Sequence, residues 1–401
     1  MFSSLKFKVI LFGFIFTFFS SFGQSYFLGL FNSSIREALS ITHGQFGSIY
    51  ASATLCSSLL LIWVGKKIDD VNIFKFAFFV TILLSFACFF FSRVTSVFLL
   101  FIAIFLMRFS GQGMMSHTAS TTISRYFTKT RGRALSISWF GLSSAEFIMP
   151  VLMVYLLTII DWQNLWLIFS ISVLIILPIV SFLLIKNLNL DSREANDENI
   201  KHVEIKQWRR RDVLKDYRFY IISSNMLAMP WIFTGFAVFQ SFVQTSKGWG
   251  PYVIAQSFMS YSIFSVLTLF LSGFLIDKFT SRKLLIYMNI PLLLSVIVLF
   301  LFDTPITAFL FLGLVGISNG FANILGSSTW AELYGVKYLG SIKALTTALM
   351  VFATAFGTAL FGYLIDIGFT VGDIAVVSAA YIFISLILLF LVRKKLNPVI
   401  I

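Results

Sequence analysis

Twelve stretches of about twenty apolar residues recur along this 401-residue chain, and they limit its fold more than any other feature. A helix of about 20 residues crosses roughly 30 Å of hydrocarbon. The runs fall at about 9–31, 45–64, 74–92, 97–123, 134–158, 164–185, 218–244, 252–275, 284–302, 306–330, 340–365 and 372–392. Lipid offers no partner to a bare backbone N–H or C=O, so each run is expected to be a helix. The expected fold class is therefore all-α and integral to a membrane, with twelve transmembrane helices, numbered here as spans 1 to 12. A large soluble core is excluded because only 12% of residues are charged and 49 are Phe, against about 25% charged in a soluble domain. The first run follows Lys6 and Lys8 as a signal peptide would, but it is long and lacks an A-x-A-like cleavage site. It is read as span 1.

The net charge of +13 does not point to nucleic acid, because of where the cations lie. Twelve spans put both termini on one side. Twenty-six of the 30 Lys and Arg then fall on that side, three (Arg36, Arg93 and Lys247) on the other, and Arg108 inside span 4. One span added or lost would invert every later loop and destroy this segregation. By the positive-inside bias, both termini are expected in the cytoplasm, and the membrane is expected to be a plasma membrane.

The one long polar segment, about 186–217, carries D-S-R-E-A-N-D-E-N and then K-Q-W-R-R-R. It divides the chain into two expected six-helix bundles, 1–190 and 215–401, joined by a solvated linker at 191–214. Trp208 to Arg211 are candidates for lying on anionic headgroups, and Trp63, Trp162, Trp166 and Trp249 for interfacial anchors at span ends. The halves echo each other at an offset of 208 residues, with Gly65/Gly273, Tyr126/Tyr334 and Gly132/Gly340 in equivalent places. Paired bundles of this kind suit a rocking transporter with a solute site near the midplane. Cys56 and Cys88 sit inside apolar runs and are read as packing residues. With no metal-ligand spacing, no cofactor is expected.

An ionised group at mid-membrane costs roughly 2.5–3.5 kcal/mol, so such residues mark function. Arg108 and Glu146 lie at matching depth in spans 4 and 5 and are candidates to pair. At 100° per residue, Arg108, Gly111, Gln112, Met115 and Ala119 share one small, polar face, suited to a wet cleft. His117 falls opposite and reads as a hydrogen-bonded packing residue. In span 5, Trp139, Ser143, Glu146 and Pro150 share a face. In span 10, Gly316, Asn319, Asn323, Gly326 and Trp330 form a stripe able to hold a polar solute or to pack helices. Gln24 and Tyr26 in span 1, and Asn225, Trp231 and Gln240 around span 7, are further candidates.

Gly65-Lys-Lys-Ile-Asp69 and Gly273-Phe-Leu-Ile-Asp277-Lys-Phe-Thr-Ser-Arg282-Lys resemble the signature loop of the major facilitator superfamily. Arg108-Phe-Ser-Gly-Gln-Gly resembles a second motif of that family, and the likeness runs over essentially the whole chain. Both loops carry a different residue at the second glycine, Asn72 and Thr280. The resemblance implies two pseudo-symmetric six-helix bundles whose spans 1, 4, 7 and 10 line a cavity. It implies a cytoplasmic gate latched through Gly65, Asp69, Gly273, Asp277 and Arg282, with Arg131 and Arg133 as partners for Asp69. Two further pieces, Tyr126 to Ile137 and Trp330 to Leu345, are similar to a bacterial branch near the monocarboxylate and oxalate-formate porters.

The expected function is a secondary active transporter, not an enzyme, moving a small solute such as a monocarboxylate or other organic anion by alternating access. The expected partners are that solute, membrane lipids and a coupling proton, and the protein is expected to be monomeric. No G-x-x-x-x-G-K-[ST] loop points to ATP hydrolysis, and no H-E-x-x-H cluster points to a membrane enzyme. The alternatives are an efflux pump for drug-like solutes and a non-transporting membrane sensor.

Overall fold

The computed structural model describes residues 4–127, 130–186, 206–335 and 337–398. Helices carry almost all of these, and no strand occurs among the described residues. Among the described residues, twelve helices are long and apolar enough to cross a membrane: Leu5–Gly29, His43–Ile68, Ile73–Phe91, Val97–Tyr126, Gly132–Leu156, Trp162–Ile185, Tyr217–Val238, Val253–Ile276, Ser281–Leu301, Ile306–Tyr334, Ser341–Asp366 and Val371–Lys395. They correspond one to one with spans 1 to 12. Short polar residues set several starts. Thr42 accepts from the Gln45 N–H at 3.2 Å, and the Gln45 amide reaches back to the Thr42 N–H at 2.9 Å, forming a capping box. Asn72 caps span 3, and Thr370 with Asp373 caps span 12.

Contacts divide the chain into two compact units, Met1–Glu198 and Asn199–Ile401. In the first unit, span 1 packs on span 5, span 2 on span 4, and span 3 on span 6. In the second, span 7 packs on span 11, span 8 on span 10, and span 9 on span 12. The same pairing scheme recurs six spans later, which gives the weak sequence echo a structural meaning.

Small residues bring the paired backbones together, as expected where lipid supplies no hydrophobic drive between helices. A Cβ on Gly141 would strike the Phe14 carbonyl, and Thr17 Oγ1 donates to the Ser138 carbonyl at 2.5 Å, joining spans 1 and 5. Ser85 and Ser170 donate to each other's carbonyls at 2.9 and 2.8 Å, joining spans 3 and 6. A Cβ on Gly320 would sit 2.6 Å from the Ser265 carbonyl, joining spans 8 and 10. Outward faces are apolar and bare, with Phe98 71%, Phe274 74% and Leu391 70% exposed, as lipid-facing side chains should be.

Several expectations change. Of the four tryptophans expected at interfaces, only Trp63 is exposed, at 72%. Trp166 is fully buried at the hub of an aromatic cluster, with the rings of Phe91 and Phe31 at 4.6 and 5.0 Å. Trp162 is also buried, and buried Trp249 donates its indole N–H to the Asp303 carbonyl at 2.6 Å. Phe-rich runs supply enough apolar area to draw an indole inward. Cys88 is buried as expected, but Cys56 is exposed on the outer surface of the unit. Residues 191–205 of the expected linker lie outside the described residues; in 206–214 Lys206, Arg209, Arg210, Arg211 and Leu214 are exposed, while Gln207, Trp208 and Val213 hold the segment to the second unit. The Trp208 N–H donates to the Tyr334 carbonyl at 3.0 Å, and the two rings lie 5.4 Å apart. The Gln207 side-chain oxygen accepts from the Lys337 N–H at 2.9 Å. Trp208 is therefore committed to packing on the end of span 10, not to headgroups.

Thr280, between spans 8 and 9, has φ +69° and ψ 147°, a region that side chains other than glycine avoid. Its hydroxyl is buried without a partner. This is the residue that stands at the second glycine of the signature loop. Thr280→Gly should relieve about 1–3 kcal/mol of strain and lose less than about 1 kcal/mol to added chain freedom. The detergent-purified variant is expected to melt a few degrees higher. An unchanged or lower midpoint would mean that the strain is not real.

Candidate functional site

Span 1 is not a continuous helix. After Ser20 it tightens into a turn over Ser21–Gly23, becomes extended at Gln24 (φ −80°, ψ 150°) and resumes at Ser25. Beside this break, span 4 widens into a π-helical turn over Arg108–Met115. Two glycines permit the approach. A Cβ on Gly111 would lie 2.6 Å from the Gly23 N and 2.9 Å from its Cα. A Cβ on Gly23 would strike the Met107 carbonyl and the Gln112 N. Broken helices and π-turns expose backbone polar groups, and inside a membrane such groups must be buried in protein or line a cavity.

Arg108 fills this gap. It is 3% exposed and donates from Nη1 to the Gly23 carbonyl at 3.0 Å and to Ser25 Oγ at 3.2 Å. The same Ser25 oxygen accepts from the Tyr50 hydroxyl at 2.9 Å, and the guanidinium lies 5.3 Å from the Tyr50 ring centre. Tyr50 thus supplies a π-face to a cation held away from water. Arg108 Nε is buried with no acceptor.

Glu146 is 8% exposed on the side of span 5 that packs on span 1. It is near enough to Tyr26 for the two polar groups to interact electrostatically. The ion pair expected between Arg108 and Glu146 is not present among the described residues. Matching depth did not supply matching azimuth, because the π-turn and the break rotate the local frames. Arg108 takes its hydrogen-bond partners from span 1 instead. Arg108 and Glu146 are the only charged side chains buried among the described residues of this unit. The other members of the expected span 4 face divide: Met115 and Ala119 are fully buried against neighbours, whereas Gln112 is half-buried. Trp139 and Gln24 are also half-buried, and Tyr26 is buried. His117 bonds through Nε2 with the Gly65 carbonyl at 3.0 Å, the packing role expected of it.

In the second unit the span 10 stripe splits. Its first part packs: a Cβ on Gly316 would sit 3.1 Å from the Tyr261 Cα, and Asn319 donates to Ser265 Oγ at 2.9 Å. Its second part opens. Asn323 is exposed and nothing lies within 4 Å of a Cβ on Gly326. Asn319, Asn323, Gly326 and Trp330 line a cavity of roughly 200 Å³. Trp330 is 1% exposed and stacks on Tyr334 at 5.9 Å, so it belongs mainly to the core. Four methionines, Met226, Met229, Met288 and Met350, also line the cavity, and among the described residues no charged one does. Their unbranched side chains adapt to irregular apolar shapes. In sequence they look like ordinary span residues, so no signal marked them. Gln240 is buried and lies elsewhere, donating to the Ala237 carbonyl at 2.9 Å beside a small apolar cavity. Asn225 is fully buried and donates to Ser385 Oγ at 3.4 Å, a packing role.

The signature loops are seated mainly by residues the sequence did not single out. Gly65–Asp69 forms a tight turn whose carbonyls are held by His117 and by Arg125, which donates to the Ile68 carbonyl at 3.1 Å. Arg133 is exposed. The side chains of Asp69, Arg131 and Asp277 lie outside the described residues. Gly273 is half-buried, with open space where a Cβ would stand. Arg282 pairs with Glu332 at 3.3 Å, and Glu332 also accepts the Ser281 N–H at 2.9 Å. Glu332 thereby anchors the start of span 9 to span 10. Its place in W-A-E-L-Y, the last polar turn of span 10, was the available signal.

The fold is similar to those of solved transporter structures. A bacterial homologue of the human lysosomal transporter Spinster, in an inward-facing and occupied conformation, aligns over 98% of both chains at a TM-score of 0.75 and 14% identity. Its inward-facing, unoccupied form aligns at 0.73 over 99% of this chain and 98% of that one, again at 14% identity. The nucleoside transporter NupG aligns over 98% of this chain and 99% of its own at 0.70 and 15% identity. No curated protein sequence matches the chain. The sequence profile described as Major Facilitator Superfamily matches residues 13–347. With twelve spans, that match and those neighbours, the chain belongs to the Major Facilitator Superfamily and is an integral membrane transporter rather than an enzyme.

Proposed function

We propose that the protein is a proton-coupled secondary transporter of a small organic anion, working by alternating access as a monomer. The observation that carries this reading is the buried Arg108, whose Nε has no acceptor and which has no carboxylate partner among the described residues. A guanidinium in that state is prepared for a substrate carboxylate, which it binds through charge-assisted, often bidentate, hydrogen bonds. Glu146 is the proton carrier in this reading, since no other acid is buried among the described residues of its unit. The charge-free, methionine-lined cavity of the second unit favours a solute with an apolar body beside its anionic group. That cavity is also what favours the second reading, an efflux carrier for drug-like solutes. The resemblance to the monocarboxylate and oxalate-formate branch supports the first. The distribution of Lys and Arg supports cytoplasmic termini, and the resemblance to a bacterial branch supports a bacterial plasma (inner) membrane.

The test is transport in proteoliposomes with an imposed pH gradient, against carboxylates, nucleosides and drug-like cations. An aryl or branched-chain carboxylate is expected to accumulate. Glu146→Gln is expected to keep solute counterflow while losing at least tenfold in gradient-driven accumulation. Undiminished accumulation in that variant removes Glu146 from coupling. Preference for a neutral nucleoside or a cation removes the anion.

A further inference from the structure

The second unit carries a large basic cavity that the transport reading does not use. It measures roughly 630 Å³ and is bounded by the end of span 8, the first half of span 9, and the end of span 12 with the residues that follow it. Arg282, Lys283, Arg393 and Lys394 line it, and among the described residues no acidic one does. Arg282 is committed: besides Glu332, it donates to the Leu396 carbonyl at 2.8 Å and to Asn397 Oδ1 at 3.0 Å. Lys283, Arg393 and Lys394 are exposed and have no ion-pair partner among the described residues. The remaining wall is apolar, with Phe279 43% and Tyr287 58% exposed.

The surface leading away from the cavity is apolar too. Spans 9 and 12 pack side by side, and both present bare side chains along their length. At the cavity end, Tyr287 and Ile290 on one, and Ile384, Leu388 and Leu391 on the other, are 37–70% exposed. The result is a cationic mouth flanked by exposed apolar side chains of the adjoining helix ends. A free phosphate or nucleotide has no use for the apolar flank, and a zwitterionic lipid brings no net charge to the mouth. We propose that this cavity is a binding site for an anionic phospholipid of the leaflet facing the chain's termini, with the phosphate on Lys283, Arg393 and Lys394 and the acyl chains between spans 9 and 12.

Each basic residue beside an anionic lipid contributes roughly fivefold in affinity, so removing three is expected to weaken binding by about 100-fold. The full chain, delipidated in detergent, is titrated with cardiolipin, phosphatidylglycerol, phosphatidylcholine and inorganic phosphate, with binding read by native mass spectrometry and thermal shift. The wild type is expected to bind the two anionic lipids and to ignore phosphatidylcholine and phosphate. Combined Lys283→Ala, Arg393→Ala and Lys394→Ala is expected to lose that binding, while the combined Lys283→Arg and Lys394→Arg exchange keeps it. All three positions are exposed, so the substitutions leave the core intact. Unchanged lipid affinity in the triple variant overturns the proposal. So does equal binding of phosphatidylcholine, or equal stabilisation by inorganic phosphate, which would make the cavity a site for the free anion.

Discussion

Arg108→Ala is expected to reduce anion uptake by at least 100-fold while the protein still inserts in the membrane. Truncating one partner of a buried, hydrogen-bonded charge pair costs about 2–5 kcal/mol, or roughly 30- to 5,000-fold. The side chain has a second job, because its Nη1 bonds hold the Gly23 carbonyl and Ser25 at the break in span 1. An alanine therefore removes a strut as well as a charge. Arg108→Gln separates the two roles: a glutamine amide keeps a donor near Gly23 and loses the cation. If the charge serves the solute, the Gln variant melts near the wild type and transports no better than the Ala variant. If it transports normally, Arg108 is a strut only. Arg108→Lys, a point charge without the planar fork, is expected to fall between them, with weakened apparent affinity for the solute.

The twelve spans were legible because lipid imposes a length and a composition that a sequence displays directly. Their pairing was legible only as a faint echo, since Gly65 and Gly273 mark a repeat without saying which helices touch. Local geometry was not legible where a second backbone determines it. The run S-S-F-G-Q-S hints at a weak point in span 1, but the break needs Gly111 of span 4 pressed against Gly23. A helical wheel for span 4 assumed a uniform turn and could not foresee a π-turn, and matching depth alone made Arg108 and Glu146 candidates to pair, whereas Arg108 bonds to Gly23 and Ser25 and lies over Tyr50. Trp166 misled for a different reason: its position at a span end suggested an interface, whereas five aromatic neighbours draw it into the core. The span 10 stripe was correctly composed but mixes two jobs, packing through Gly316 and Asn319 and cavity lining through Asn323 and Gly326.

The glycines give the second large effect, and they separate packing from signature. Gly111→Val should prevent the first unit from folding. The added Cβ alone sits 2.6 Å from the Gly23 N, a contact that backbone cannot relieve by turning a side chain. Overpacking against side chains costs about 1–3 kcal/mol, and a clash between two backbones exceeds that, on the scale of a protein's whole marginal stability. Little folded protein is expected from detergent extracts on size-exclusion chromatography, and Gly23→Ala should behave similarly. Gly273 and Gly326 make the contrast, because a Cβ at either meets nothing within 4 Å. Gly273→Ala and Gly326→Ala are expected to fold with thermal midpoints within a few degrees of the wild type, even though Gly273 opens the better signature loop. Should Gly111→Val yield a stable, monodisperse protein, the close approach of spans 1 and 4 would be wrong. The site built around Arg108 would then lose its scaffold.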